Sequence, residues 1–186
     1  MQLKLYLIII FACSVLSSVI VSLAYNLFFF TVLGATFLGV VIIIAIDGLT
    51  ATVCRLLPKR VANFNCCVYA VKAGEKNFYE KLKIRRWKEK IPEIGHFTGF
   101  RKNKIAEPKN AEYIERFLME ICYGELGHFA SIFTGFSILA LPWFSPFWLV
   151  TALVVAVVNA FLNVLPVIVL RYNSYKLLIL YKSLKK

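Results

Sequence analysis

At 186 residues the chain is 60% hydrophobic and only 17% charged, whereas soluble domains run at roughly 45–50% and about 25%. A soluble domain of this length cannot hide that much apolar surface, and a bilayer can. The net charge of +12 argues for lipid headgroups rather than nucleic acid. No zinc-finger spacing or aromatic-basic strand signature accompanies it, and the basic residues flank apolar runs, where they set topology and attract anionic lipid.

Lys4 precedes an apolar run over about residues 5–23, long enough for a span of roughly 20 residues. A cleaved signal peptide competes with that reading, since Ser22-Leu23-Ala24 offers small residues at a plausible site. Phe28, Phe29 and Phe30, however, lead directly into a second run over about residues 27–46, and together the two predict an uncleaved hairpin. The second run ends at Asp47-Gly48, where the aspartate reads as a helix-boundary residue. Beyond Arg55 the chain becomes polar and dominated by Lys and Arg as far as Arg116. Within that part, Glu75 to Lys90 mixes Phe78, Tyr79, Leu82, Ile84 and Trp87 with Lys81, Lys83, Arg85, Arg86 and Lys88, the composition of a segment lying on an anionic surface. Lys81 to Arg85 alternates like a strand, so periodicity leaves its structure open. His96 reads as a surface-loop histidine.

Asn110 is an expected N-cap for a helix over residues 111–119 that feeds a third span ending near Leu141. Pro142 to Trp148 is a proline-punctuated turn carrying the aromatics that favour a membrane interface. A fourth span covers about residues 147–170, and the tail from Arg171 is basic again, a candidate surface element. The expected fold is all-α and integral to the membrane: four transmembrane helices as two hairpins (1–54 and 117–186) around a basic interfacial segment (55–116). The short turns carry no Lys or Arg, whereas both termini and the middle segment carry them all, so the positive-inside rule places those three in the cytoplasm. The five cysteines, Cys13, Cys54, Cys66, Cys67 and Cys122, show neither a disulfide framework nor metal spacing. They read as small apolar side chains on the reducing side.

Ionisable groups inside a span are expensive and functional by default. The third span has Glu120, Glu125 and His128; the fourth has Asn159 and Asn163, with Arg171 at its end. Folded as an antiparallel hairpin about Phe144, Glu125 and Asn163 are each about 19 residues, or roughly 28 Å, from the turn, with His128 and Asn159 one turn deeper. Glu125 and His128 are three residues apart and Asn159 and Asn163 four, so each pair shares a helix face. A carboxylate that orients a histidine lets the other ring nitrogen take a proton from a hydroxyl, the general-base step of acyl transfer, while the asparagines position substrate. No serine or cysteine is obviously paired as a nucleophile, so direct transfer is expected. The same four residues also suit an interhelical polar clasp, and spacing does not separate the two readings. A metal site is rejected: two histidines and too few carboxylates make no di-iron set.

Lys83-Ile84-Arg85-Arg86-Trp87-Lys88 with Pro92 and Gly95, then Glu120 and Glu125-Leu126-Gly127-His128, then Asn163 through Pro166 to Arg171-Tyr172-Asn173, resemble the glycosyl-4,4'-diaponeurosporenoate acyltransferase family. These are small bacterial membrane enzymes that esterify a sugar hydroxyl of a glycosylated carotenoid with a fatty acyl group. The resemblance covers about residues 76–178. It implies a multi-pass protein of the bacterial cell membrane, with His128 as general base and Glu125 as its orienting partner. Asn159, Asn163, Glu120, Tyr172 and Asn173 would contact substrate. Trp87, Arg85, Arg86, Lys88 and Arg171, with Lys176 sharing the role, would grip the phosphates of an anionic acyl donor such as acyl-CoA, which serves as co-substrate; no cofactor is implied. The implied partners are membrane lipids and a lipid-like acceptor. The competing classes are another lipid- or isoprenoid-modifying membrane enzyme, such as a reductase or methyltransferase, and a non-enzymatic scaffold.

Overall fold

The computed structural model describes residues 2–91, 105–141 and 147–185, and every element among them is helical. The first two helices, α1 (Gln2–Tyr25) and α2 (Phe29–Leu56), follow from uninterrupted runs of Leu, Ile, Val and Phe with no proline. Asn26 stands between them in the left-handed conformation (φ 49°), which asparagine tolerates better than most residues. The Leu27 amide then donates to the Ser22 carbonyl at 2.9 Å, the helix stop that a left-handed residue permits. Small hydroxyls hold the hairpin together. Ser18 Oγ and Thr36 Oγ1 lie 3.0 Å apart, both fully buried, where small residues let two backbones approach in the absence of a hydrophobic drive from lipid.

The middle segment is helical too. A 3₁₀ turn (Lys59–Ala62) precedes α3 (Ala73–Lys81) and the single-turn α4 (Ile84–Trp87), which continues as a second 3₁₀ turn (Lys88–Lys90). The strand-like alternation there has a different cause: Lys83 takes a left-handed conformation (φ 52°), the chain bends, and Ile84 turns inward to complete burial. Asn110 caps α5 (Ala111–Thr134) as expected, its Oδ1 accepting from the Tyr113 amide at 3.1 Å. The helix then passes Met119 without interruption, tightens into a 3₁₀ helix (Gly135–Ala140), and is followed by α6 (Trp148–Leu184). The basic tail is thus the last part of α6 rather than a separate surface element. Pro92, Gly95, His96 and residues 142–146 of the aromatic turn lie outside the described residues.

Among the described residues three helices, not four, are long and apolar enough to cross a membrane: Tyr6–Tyr25, Phe29–Leu56 and Trp148–Leu184. The expected third span fails because α5 carries Glu112, Glu115, Arg116, Glu120 and Glu125, and because the chain leaves α-helical geometry at Gly135. Large apolar side chains on the three spans remain exposed, such as Leu23, Val41, Ile44 and Phe161, a pattern that a lipid solvent accommodates without cost.

The chain forms two compact units, Met1–Thr52 with His128–Val164, and Val53–Gly127 with Leu165–Lys186. The core of the first gathers Ile43, Ile138, Trp148, Ala152, Val155 and Ala156. Lys4, Asp47 and His128 are its only lysine, acid and histidine, and it has no arginine. The second packs Ile114, Phe117, Leu118, Ile121 and Cys122 of α5 on Leu177 and Tyr181 of α6. It carries every other acidic and basic residue.

Candidate active site

Four polar side chains meet inside the apolar unit. Asp47, in the interior of α2, accepts from Asn159 Nδ2 on Oδ1 at 3.2 Å and from Asn163 Nδ2 on Oδ2 at 3.0 Å. Asn163 Nδ2 also donates to the Asn159 side-chain and backbone oxygens, each at 3.1 Å. His128 Nδ1 lies 2.8 Å from Asn163 Oδ1. Both asparagines are buried, while His128 and Asp47 are half-buried. The spacing of the sequence makes this possible: Asn159 and Asn163, four apart on α6, present one face toward Asp47.

The network fixes the tautomer of His128. Asn163 turns its NH₂ group to Asp47 Oδ2 and its carbonyl oxygen to the imidazole. That oxygen has no proton to give, so Nδ1 carries the hydrogen and, in the neutral ring, Nε2 keeps the lone pair. The polarity runs from Asp47 through a neutral amide to His128. The packing around it is tight: a Cβ placed on the buried Gly135 would fall 2.7 Å from Asn159 Nδ2.

The expected pairing differs by one helical turn. It is His128 that reaches Asn163, and Nδ1 is taken by that amide rather than by Glu125. The reason lies in the 3₁₀ helix. Its six residues each rise about 0.5 Å more than α-helical ones. That adds about 3 Å to the α5 arm, so a residue nearer the turn stands level with Asn163.

Glu125 belongs to a second cluster, in the charged unit. Arg171 Nε and Nη2 bind Glu75 Oε1 and Oε2 side-on at 2.5 and 3.0 Å. Arg171 Nη1 donates to Glu125 and, at 3.0 Å, to the Val68 carbonyl. Tyr79 donates to the same Glu75. Arg171 holds the Glu75 carboxyl below the usual carboxylate range, whereas burial, and then Glu75 itself, push the Tyr79 phenol up. Arg171 is therefore committed to two carboxylates and a carbonyl instead of facing an anionic donor. Glu120 likewise pairs with Arg55 at 2.6 Å.

Of the remaining predicted binding residues, Lys88, Lys176, Tyr172 and Asn173 come together. Lys176 and Lys88 lie 4.7 and 5.8 Å from the ring centre of the buried Tyr172, and Lys88 Nζ donates to Asn173 Oδ1 at 3.2 Å. Burial holds the Lys88 ammonium below its ordinary range, with Lys176 and Arg85 adding to the effect. Arg85 and Arg86 are exposed. The Trp87 indole donates to the Leu82 carbonyl at 3.0 Å, bracing the corner between α3 and α4.

Two residues escaped the sequence reading. Asp47 carried a usable signal, as the only acid within the first two apolar runs, and was discounted for standing beside Gly48. Glu75 carried none, since nothing local ties it to an arginine 96 residues away.

The family model for glycosyl-4,4'-diaponeurosporenoate acyltransferase matches residues 62–183. The chain belongs to this family. It is an acyltransferase, which displaces the reductase, methyltransferase and scaffold readings. The match spans Glu75, Glu125, His128, Asn159, Asn163 and Arg171, while Asp47 and the whole α1–α2 hairpin lie before it. No curated protein and no solved structure matches the chain.

Proposed function

We propose that this family member is a membrane-bound O-acyltransferase that moves a fatty acyl group from acyl-CoA to a hydroxyl of a glycosylated carotenoid or similar glycolipid, with His128 as general base. The observation that carries the reading is the Nδ1 contact to Asn163, which leaves Nε2 as a proton acceptor. Nε2 takes the hydroxyl proton as the sugar oxygen adds to the thioester carbonyl carbon. The tetrahedral intermediate collapses with cleavage of the C–S bond, and the imidazolium returns its proton to the departing thiolate. The products are an ester and a free thiol, and His128 is neutral again. While the ring is cationic, Asn163 Oδ1, polarised by Asp47 through the same amide, stabilises it. A neutral amide between acid and base also avoids desolvating a direct ion pair.

Within the charged unit, Lys88 and Lys176 beside Tyr172 and Asn173, with the exposed Arg85 and Arg86, offer the chemistry that binds phosphates. The charge distribution supports a multi-pass orientation with both termini and the middle segment on the cytoplasmic face. That orientation requires the chain to return through α5 and its 3₁₀ continuation by a route less apolar than the three spans. Cys66 and Cys67, both exposed, report on it: a membrane-impermeant thiol reagent should label them from the cytoplasmic face, and labelling from outside would reverse the assignment.

The chemical test is acyl transfer in nanodiscs. His128→Ala should lower turnover about 10²–10⁴-fold, the usual contribution of a positioned base. Asp47→Asn should cost about 10–100-fold, as removal of an outer orienting carboxylate does in other sites, because Asn163 is then free to reverse its amide. Full activity in a folded His128→Ala protein removes the histidine from the mechanism.

A further inference from the structure

A cavity of about 60 Å³ lies in the apolar unit between α1, α2 and α6. Asn159, Val158, Val155, Thr36, Ser14 and Cys13 are among the residues that line it. Ile44, which also borders it, is 61% exposed, so the cavity meets the surface where the apolar side chains of α2 stand uncovered.

Its volume is several times the roughly 10–15 Å³ that one water needs, and a buried water also needs two to four polar partners. The walls offer few. Ser14 donates to the Ile10 carbonyl at 2.7 Å and Ser17 to the Ser14 carbonyl at 3.1 Å. Thr36 donates to Val32 at 2.9 Å, and the Asn159 amide is held by Asp47. These hydroxyls return their protons to their own helices, so they contribute small size rather than polarity. The space between them fits hydrocarbon better than water.

The position of the polar end identifies the hydrocarbon. Asn159 borders the cavity and, through Asn163, stands two hydrogen bonds from His128 Nδ1. A thioester carbonyl presented to His128 Nε2 lies across the imidazole ring from Asn163, and its alkyl tail reaches the cavity by turning back past the ring toward Asn159. We propose that this cavity holds a stretch of the donor's acyl chain, and that its width and depth bias which chains the enzyme prefers. The inference rests on His128 being the site of acyl transfer. It assigns a substrate role to α1 and α2, which lie outside the matched family region.

Val158→Phe and Cys13→Leu narrow the slot from opposite walls without touching Asp47, Asn159, Asn163 or His128. With saturated acyl-CoAs from eight to eighteen carbons, each should lower the long-to-short ratio of kcat/KM about tenfold or more, in the range that a methylene misfit produces, while turnover of the shortest donor is kept. Unchanged ratios in both folded variants overturn the slot, and so does a change confined to the KM of the acceptor, which would place the acceptor's chain there. A second measurement is independent of turnover. A diazirine-bearing fatty acid should cross-link to peptides containing Cys13 and Ser14 in the parent protein and lose that product in Val158→Phe, while labelling of lipid-facing Phe161 persists. Cross-links equal in the two proteins overturn the proposal. Loss of all acyl transfer in the parent with the cavity cross-link retained would instead refute the activity reading alone.

Discussion

The two units solve the same electrostatic problem in opposite ways. In the charged unit Arg171 and the carboxylates of Glu75 and Glu125 touch directly, and each ion has an ion for a partner. In the apolar unit the acid and the base stay apart, and the amides of Asn159 and Asn163 carry the polarity between Asp47 and His128. Direct pairing suits a group whose task is to stay charged and hold helices together. On the proposed mechanism, mediated pairing suits a base that changes charge during turnover, because the polarised amide orients the imidazole and supports its cation without a desolvated ion pair. Neighbouring positions on α5, Glu125 and His128, thus join different networks, and the sequence motif that holds both conceals the division.

The comparison predicts that damage to the charged cluster will appear as instability and damage to the amide network as lost rate. Arg171→Met is the largest test. It leaves Glu75 and Glu125, whose side chains are 24% and 9% exposed, without their cation. Removing one member of a largely buried pair costs about 3 kcal/mol or more. The midpoint of denaturant unfolding in detergent should fall accordingly. If the variant unfolds normally but transfers no acyl group, Arg171 acts on substrate after all and the contrast between the units collapses.

Much of this arrangement was legible in the sequence. The long apolar runs gave α1, α2 and α6, Asn110 marked the start of α5, and the four-residue spacing of Asn159 and Asn163 put them on one face. His128 stood out because an imidazole in apolar surroundings is costly to keep, and it does join the polar network of the apolar unit. The unreadable parts are those that depend on distance in the chain or on local pitch. The bond from Glu75 to Arg171 crosses 96 residues and leaves no periodic trace. The partner of Asn163 shifted from Glu125 to His128 because residues 135–140 adopt a tighter helix, and nothing in Gly-Phe-Ser-Ile-Leu-Ala announces that change. The acids at the start of α5 were visible, yet the apolar residues after them led to the expectation of a fourth span.

Gly135 provides the finest test of the amide network, because it alters spacing without altering any polar group. A methyl there would sit 2.7 Å from Asn159 Nδ2, closer than side-chain carbons approach one another or any polar atom. Asn159 cannot swing aside freely, since it donates to Asp47 at 3.2 Å and its Oδ1 accepts from Asn163 at 3.1 Å. Gly135→Ala should therefore displace one of the two donors on Asp47, loosen the orientation of Asn163, and lower kcat by about tenfold, the low end of the loss expected for an outer orienting group. Gly34→Ala is the matched control: it lies in α2 with nothing within 4 Å of the added carbon, and replacing a helical glycine there should be neutral or stabilising by up to about 1 kcal/mol. Equal kcat values in the two variants would mean that the orientation of His128 does not depend on the amides, and that the polar set in the apolar unit is a clasp between helices rather than a relay.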